Sequence, residues 1–345
     1  MKVLVCTDAW HPQVNGVVRT YEHLSREVRA LGGSIEFVAP PGFASIALPT
    51  YREIRLAFVR PGDIARRVRE IRPEFIHIAT EGPIGLAARA YCRRRGHPFT
   101  TSYHTRFPDY VAARLPVPRS WTYRLQRWFH SGGRAMMVSS QTLADDLGAQ
   151  GFSNILVWPH GVDTVLFRPR DVRLFSRDRP VFLYVGRVAV EKNLEAFLAL
   201  DLPGERVVVG GGPALARLRA RFPDCTFTGP MHGEDLARCY ASADVFVFPS
   251  LTDTFGNVLL EAMACGVPVA AFPVIGPKDI VANGRSGVLD DDLGAAALAA
   301  LALNRGEVRR HAVAFSWRSS AESFLANIRS ANGQADHSRG DGRDP

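Results

Sequence analysis

Apolar residues in this chain fall in short unbroken runs, separated by stretches with helical spacing. Val3-Leu4-Val5-Cys6, Phe75-Ile76-His77-Ile78, Val181-Phe182-Leu183-Tyr184-Val185 and Val245-Phe246-Val247-Phe248 are the clearest runs. Runs without polar alternation mark strands covered on both faces, the situation in a parallel sheet. In the first half the pattern predicts strands over 2–7, 34–39, 54–59, 75–80, 98–103, 135–139 and 155–158, with helices over 17–31, 64–71, 84–95 and 120–130. A charged, strand-free segment, Arg168 to Arg179, interrupts the alternation. It restarts with strands over 181–185, 206–209 and 225–228 and helices over 194–200, 214–222 and 234–242. The run 245–248 then stops at Pro249, and a polar loop, Ser250 to Thr254, leads into a helix from about Gly256 to Cys265. Gly266 suits the position after that helix, and a second apolar strand follows over 267–272.

Repeated strand–helix alternation predicts an α/β protein with two doubly wound parallel-sheet domains. The boundaries read as 1–170 for the first domain and 171–315 for the second. A helix over 316–330 follows the second domain and returns to the first, and 331–345, with almost nothing apolar, reads as a disordered tail.

Composition narrows the class. At 345 residues the chain has room for two cores, and no run reaches the roughly 18 apolar residues a membrane span needs. The first residues pass directly into a strand, with no signal-peptide pattern, which predicts a cytoplasmic protein. The cysteines, Cys6, Cys92, Cys225, Cys239 and Cys265, are scattered without metal-ligand spacing, so reduced thiols and no metal site are expected. The net charge of +8 is uneven: residues 1–170 carry 23 Lys+Arg against 13 Asp+Glu, and the remainder 19 against 21. Either an anionic surface or an Arg-rich composition accounts for that asymmetry. No nucleic-acid-binding signature accompanies it.

Ligands of such sheets sit at the carboxyl ends of strands. There the chain places Asn15-Gly16, at the start of the first helix; His104, after the strand 98–103; and Gly186-Arg187 with Glu191-Lys192-Asn193 in one strand–helix loop. Arg187 and Lys192 could clamp a diphosphate or simply solvate their loop. Gly210-Gly211-Gly212 would let backbone approach a ligand, and Asp253 and Glu261 flank a helix start that suits an anion. There is neither a GxGxxG fingerprint nor a P-loop, which counts against a dehydrogenase and a P-loop kinase. Asp290-Asp291-Asp292 reads better as a helix cap than as a metal site.

Together these pieces resemble the retaining glycosyltransferases of family 4, with the GT-B fold: two Rossmann-like domains facing across a cleft. The family's E-x7-E motif corresponds to Asp253 and Glu261, and its GR-xxx-EKN segment to Gly186-Arg187 and Glu191-Lys192-Asn193. Phe248-Pro249-Ser250, Gly161-Val162-Asp163-Thr164 and Tyr240-Ala241-Ser242-Ala243-Asp244 also fit, in the expected order. The resemblance implies an acceptor domain first and a nucleotide-sugar domain second. Arg187 and Lys192 would hold the donor diphosphate, helped by backbone at Phe255, Gly256, Asn257 and Val258. Glu261 would take the ribose hydroxyls and Asp253 the sugar hydroxyls. His104 would reach the sugar from the first domain, and Asn15, Gly16, Gly186 and Gly212 would lie near the diphosphate. No metal or cofactor is implied, the nucleotide sugar being the donor substrate. Asp253 is shorter than the family's usual Glu, and the first loop lacks the Gly-Gly of many relatives; both depart from the pattern where the sugar is chosen.

The acceptor is read from charge. Residues 51–134 hold 17 Arg against six acids. Within them Arg114, Arg119, Trp121, Arg124, Arg127 and Trp128 give the composition of a helix lying on anionic lipid, though a core-facing helix would share it. The first loop and the Thr252–Asn257 loop look most like lipid-directed members of the family, such as diacylglycerol glycosyltransferases and sulfoquinovosyltransferases. The expectation is a UDP-sugar-dependent enzyme acting on a membrane lipid, peripheral on the inner face of the cytoplasmic membrane. The alternative is a GDP-mannose-dependent α-mannosyltransferase acting on a glycan or polyprenyl-linked acceptor.

Overall fold

The computed structural model describes residues 1–13, 15–47, 55–106, 118–176 and 178–333. They form two compact units, 1–159 together with the helix that begins at Trp317, and 160–316.

In the first unit the strands are β1 (Lys2–Cys6), β2 (Ser34–Val38), β3 (Ser45–Ala47), β4 (Arg55–Ala57), β5 (Phe75–Ile78), β6 (Phe99–Ser102), β7 (Ala135–Val138) and β8 (Ile155–Val157). The helices are α1 (Gly16–Ala30), α2 (Pro61–Ile71), α3 (Pro83–Arg95), α4 (Arg119–His130) and α5 (Gln141–Ala149). Six strands make one sheet in the order β2-β1-β5-β6-β7-β8, every pairing parallel. The unbroken apolar runs have the cause the sequence implies, because alternate residues of one strand fill different cores. Val3 and Val5 pack with Tyr21 and Leu24 of α1, while Leu4 and Cys6 pack with Ile84 and Ala88 of α3.

The second unit repeats the plan. Its strands are β9 (Val181–Val185), β10 (Glu205–Val209), β11 (Thr226–Gly229), β12 (Val245–Phe248), β13 (Val269–Ala271) and β14 (Gly287–Leu289), in the all-parallel order β11-β10-β9-β12-β13-β14. Its helices are α6 (Leu194–Leu198), α7 (Leu215–Arg221), α8 (Gly233–Ala241), α9 (Asn257–Ala264), α10 (Pro277–Ile280), α11 (Leu293–Ala300) and α12 (Arg305–Val313). Val181, Leu183 and Val185 face the α8–α9 core, and Phe182 and Tyr184 the α6–α11 core. Helix α13 (Trp317–Ala331) belongs to the first unit, where it lies along α1 and buries Phe324, Leu325 and Ile328. Trp158 Nε1 anchors it by donating to the Ser320 carbonyl at 3.1 Å.

Three expectations change. The strand read over 54–59 is the short β4, paired antiparallel with β3 outside the main sheet; Phe58 beside it is exposed, so this run was never covered on both faces. The boundary lies earlier than 170: Val162 and Phe167 are buried in the second unit, Arg170 pairs with Glu234 at 2.9 Å, and Leu174 N–H donates to Ser242 Oγ. The charged segment from Arg168 is thus fastened to the second unit. Helices α5 and α12, not foreseen, are capped by Ser140 and Asn304. Of the tail read as disordered, Ala331 still ends α13 and residues 334–345 lie outside the described residues.

Candidate functional site

In the second unit the carboxyl ends of β9, β10 and β12 converge. The backbone past β9 continues the ladder with the loop past β10: Gly186 N–H donates to Val209 O at 3.0 Å, Val188 N–H to Gly211 O at 2.9 Å, and Ala214 N–H to Val188 O at 3.0 Å. This approach is close enough to require glycine. A Cβ on Gly210 would lie 1.9 Å from Gly186 O, and one on Gly212 2.4 Å from Val188 O. Gly212 therefore has a packing reason to be glycine apart from any ligand.

A 3-10 turn over Val190–Lys192 carries two charges into this edge. Glu191, nearly buried, stands 3.9 Å from the Arg187 guanidinium. Asn193, with φ of 51°, donates through Nδ2 to Pro249 O at 3.1 Å and so ties the turn to the loop after β12. That tie brings Lys192 and Asp253, 61 positions apart, into a close ion pair between Nζ and Oδ1. The other oxygen, Asp253 Oδ2, is buried and has no hydrogen-bond partner among the described residues. A buried carboxylate oxygen left in that state wants a donor.

Helix α9 begins next. Gly256, with φ of 93°, sits at its N-cap, Phe255 is buried before it, and Val258 packs partly buried against the core. The Asn257 side-chain oxygen accepts from His160 Nδ1 at 3.0 Å. Burial pushes the His160 imidazole down to about 4, so it is neutral at physiological pH and donates through Nδ1. One turn on, Glu261 is buried, and its Oε2 accepts from the Tyr240 hydroxyl at 2.9 Å. His160 and Tyr240 were given no role from sequence. Tyr240 stood within a matched motif, and His160 directly precedes Gly161, but neither has a partner in its own stretch of chain.

The first unit assembles differently. Asn15 caps α1, its Oδ1 accepting from Val18 N–H at 3.0 Å, and Gly16 is the first residue of that helix. Asp8, past β1, is partly buried; it accepts from Ile84 N–H at 2.8 Å and Thr80 Oγ1 at 2.9 Å, holding the start of α3. Burial raises its carboxyl above the usual range despite these donors. His104 follows β6, with its Nε2 3.2 Å from the Tyr21 phenolic oxygen.

On α4 the apolar positions divide. Tyr123, Gln126, Phe129 and His130 are buried, while Trp121, Leu125 and Trp128 are 71%, 58% and 50% exposed. The core-facing alternative for these three residues is therefore wrong: the helix buries its other face. Arg119 and Arg124 are exposed alongside them, Arg127 donates to Gln150 O at 2.7 Å, and the Arg89 guanidinium lies 3.8 Å over the Trp128 ring. Arg114 lies outside the described residues. Asp292 caps α11, accepting from the N–H groups of Gly294 and Ala295, as the sequence suggested. All five cysteines are free and buried. Among the described residues no helix is long and apolar enough to cross a membrane, and no cluster of three His, Cys, Asp or Glu could hold a metal ion.

Two family models match the chain: Glycosyltransferase Family 4 over residues 14–166, and Glycosyl transferases group 1 over residues 179–304. A GDP-mannose-dependent alpha-mannosyltransferase of Mycobacterium tuberculosis is 30% identical over 316 residues, covering 84% of this chain and 83% of that protein. A sulfoquinovosyl transferase of Arabidopsis thaliana is 30% identical over 310 residues, 79% of this chain but only 60% of the plant protein. A sucrose-phosphate synthase structure from Thermosynechococcus elongatus superposes with a TM-score of 0.76 at 22% identity, covering 97% of this chain and 99% of that one. This last likeness speaks to the fold alone.

Proposed function

The chain belongs to family 4 of the glycosyltransferases, and from that premise we propose that it moves a hexosyl unit from a UDP-sugar to a membrane lipid such as diacylglycerol, with retention at the anomeric carbon. The observation that carries the donor side is the charged edge of the second unit. Lys192 pairs with Asp253 just before the start of α9, where N–H groups and the helix dipole favour an anion, and Arg187 stands in the same strand–helix loop as Lys192. In this reading the diphosphate draws Lys192 and Arg187, and a sugar hydroxyl donates to Asp253 Oδ2. Glu261 takes the ribose hydroxyls. His104 hydrogen-bonds the sugar, and Asn15, Gly16, Gly186 and Gly212 line the diphosphate. As the bond between the anomeric carbon and the phosphate oxygen breaks, the acceptor oxygen bonds to the same face and its proton passes to the departing phosphate. The cations offset the charge on that leaving group in place of a metal.

The acceptor side rests on α4, which presents two Trp and a Leu among arginines and carries no acid. That surface suits peripheral attachment to an anionic cytoplasmic leaflet. The second reading, mannosyl transfer from GDP-mannose to a glycan or polyprenyl-linked acceptor, is favoured by the mycobacterial relative, which this chain covers to 83%. A panel of UDP-, GDP- and ADP-sugars offered with lipid extract decides between them. The first reading expects a UDP-sugar to be consumed and a new glycolipid to form. Consumption of GDP-mannose and not of a UDP-sugar would install the second, and no turnover of any donor would overturn both.

A further inference from the structure

His104 is not held alone. Behind it runs a buried line of neutral polar groups drawn from three elements of the first unit. Tyr21 of α1 has its phenolic oxygen 3.2 Å from His104 Nε2 and 2.9 Å from His77 Nε2. His77, on β5, is fully buried, with its Nδ1 2.8 Å from Thr100 Oγ1 and its Nε2 2.9 Å from Ser102 Oγ, both on β6. The sheet register pairs His77 directly with Thr100. Trp158 and Phe324 wall the line on its apolar side, with ring centroids 6.5 Å and 5.1 Å from that of His77.

The donors and acceptors fix a direction. Thr100 Oγ1 is buried, and its hydrogen-bond partner is His77 Nδ1, so leaving that hydroxyl proton unused would be costly. Thr100 therefore donates to Nδ1, and His77 carries its own proton on Nε2. That N–H is shared between Tyr21 Oη and Ser102 Oγ. The Tyr21 hydroxyl has two acceptors in reach, Ser102 Oγ at 3.4 Å and His104 Nε2 at 3.2 Å, and the imidazole nitrogen, nearer and more basic, takes its proton. A His104 ring that accepts at Nε2 keeps its proton on Nδ1. Burial holds the His77 ring down to about 3, so it stays neutral and the order survives throughout the physiological range.

We propose that Tyr21 and His77 are positioning residues for His104, setting its ring orientation and placing its proton on Nδ1. This rests on the reading that His104 serves the transfer reaction. The nitrogen that faces away from Tyr21 is then a donor and not an acceptor.

Tyr21→Phe keeps the ring and removes only the hydroxyl, so it tests the line with little risk to the fold. Nitrogen-15 NMR of His104 in the intact protein should show the Nδ1–H tautomer, and Tyr21→Phe should shift that population. Turnover should fall roughly tenfold with the donor KM unchanged, the scale of one lost hydrogen bond. In a His104→Ala background the same change should do nothing further, and His77→Gln should reproduce the tautomer shift. An unchanged His104 spectrum in Tyr21→Phe overturns the proposal, as does an equal loss of rate with and without His104. If the wild-type protein consumes no sugar nucleotide, the functional reading fails, and the spectrum still decides the positioning claim.

Discussion

The two units share a topology and differ in how they prepare the carboxyl edge of their sheets. The second unit does it with charge: Lys192 against Asp253, Arg187 near Glu191, and a helix start, all on loops past strand ends. The first unit does it with neutral groups locked inside, His104 standing on Tyr21 and His77. A charged edge can change partners when a charged ligand arrives, because exchanging one anion for another keeps the cation paired. A buried neutral line cannot, and it is suited to hold one group in one orientation. The first kind of site suits the diphosphate; the second suits precise contact with an uncharged sugar.

The sharpest way to break this contrast is to remove the cation. Lys192→Ala should lower kcat by roughly 10³, the scale for deleting a group that offsets charge in the transition state. The fold should persist by circular dichroism, with some loss of thermal stability because Asp253 loses the cation it pairs with. Turnover within a few-fold of wild type would mean that the charged edge is structural.

The comparison was unequally legible in the sequence. Charged residues at strand ends are conspicuous, so Arg187, Lys192, Asp253 and Glu261 could be picked out before any geometry. The neutral line could not. His77 lies inside Phe75-Ile76-His77-Ile78 and Tyr21 on the core face of α1, where both read as packing. What makes them polar partners is the register that sets His77 beside Thr100, and one sequence does not reveal which strands are neighbours. The sheets were legible because a short unbroken apolar run such as Val245–Phe248 suits a strand covered on both faces and little else. The unit boundary was not, because residues 160–176 are fastened by scattered anchors, Val162, Phe167, Arg170 and Leu174, too sparse to form a pattern.

Acid should expose a second difference. The unfolded chain takes up a proton on each histidine near 6.5, whereas folded His160 stays neutral to about 4 and His77 to about 3. Both therefore oppose folding increasingly as pH drops below 6.5. The loss from His160 stops growing near pH 4, after about 3 kcal/mol, while that from His77 continues to about pH 3. Urea melts between pH 7 and pH 4 should show the fall, and His160→Gln should flatten part of it. A slope unaffected by that change would mean the ring is already protonated when folded.

Charge also divides the units at long range, with 17 Arg against six acids in residues 51–134. Trp121→Ser with Trp128→Ser removes both exposed tryptophans of α4 and should weaken binding to phosphatidylglycerol vesicles roughly tenfold or more. Donor hydrolysis in solution should be unaffected, since both residues belong to the first unit and the charged edge to the second. Equal vesicle binding by the double variant would leave the arginines acting without the helix face.

The smallest change tests a neutral hydroxyl that supports the charged edge. Tyr240 donates to Glu261 Oε2 from within the core, so Tyr240→Phe removes a hydrogen bond to a buried carboxylate without opening a cavity. The expected cost is about 1 kcal/mol in stability, with a roughly two- to fivefold loss of nucleotide affinity. If Glu261 binds the ribose hydroxyls, the loss should be seen with UDP and should vanish with a 2′,3′-dideoxy analogue, which offers that carboxylate nothing to hold. Equal loss with both nucleotides would place Tyr240 and Glu261 in the packing of α9 alone. The charged edge would then end at Asp253, and recognition of the ribose would have to be sought elsewhere.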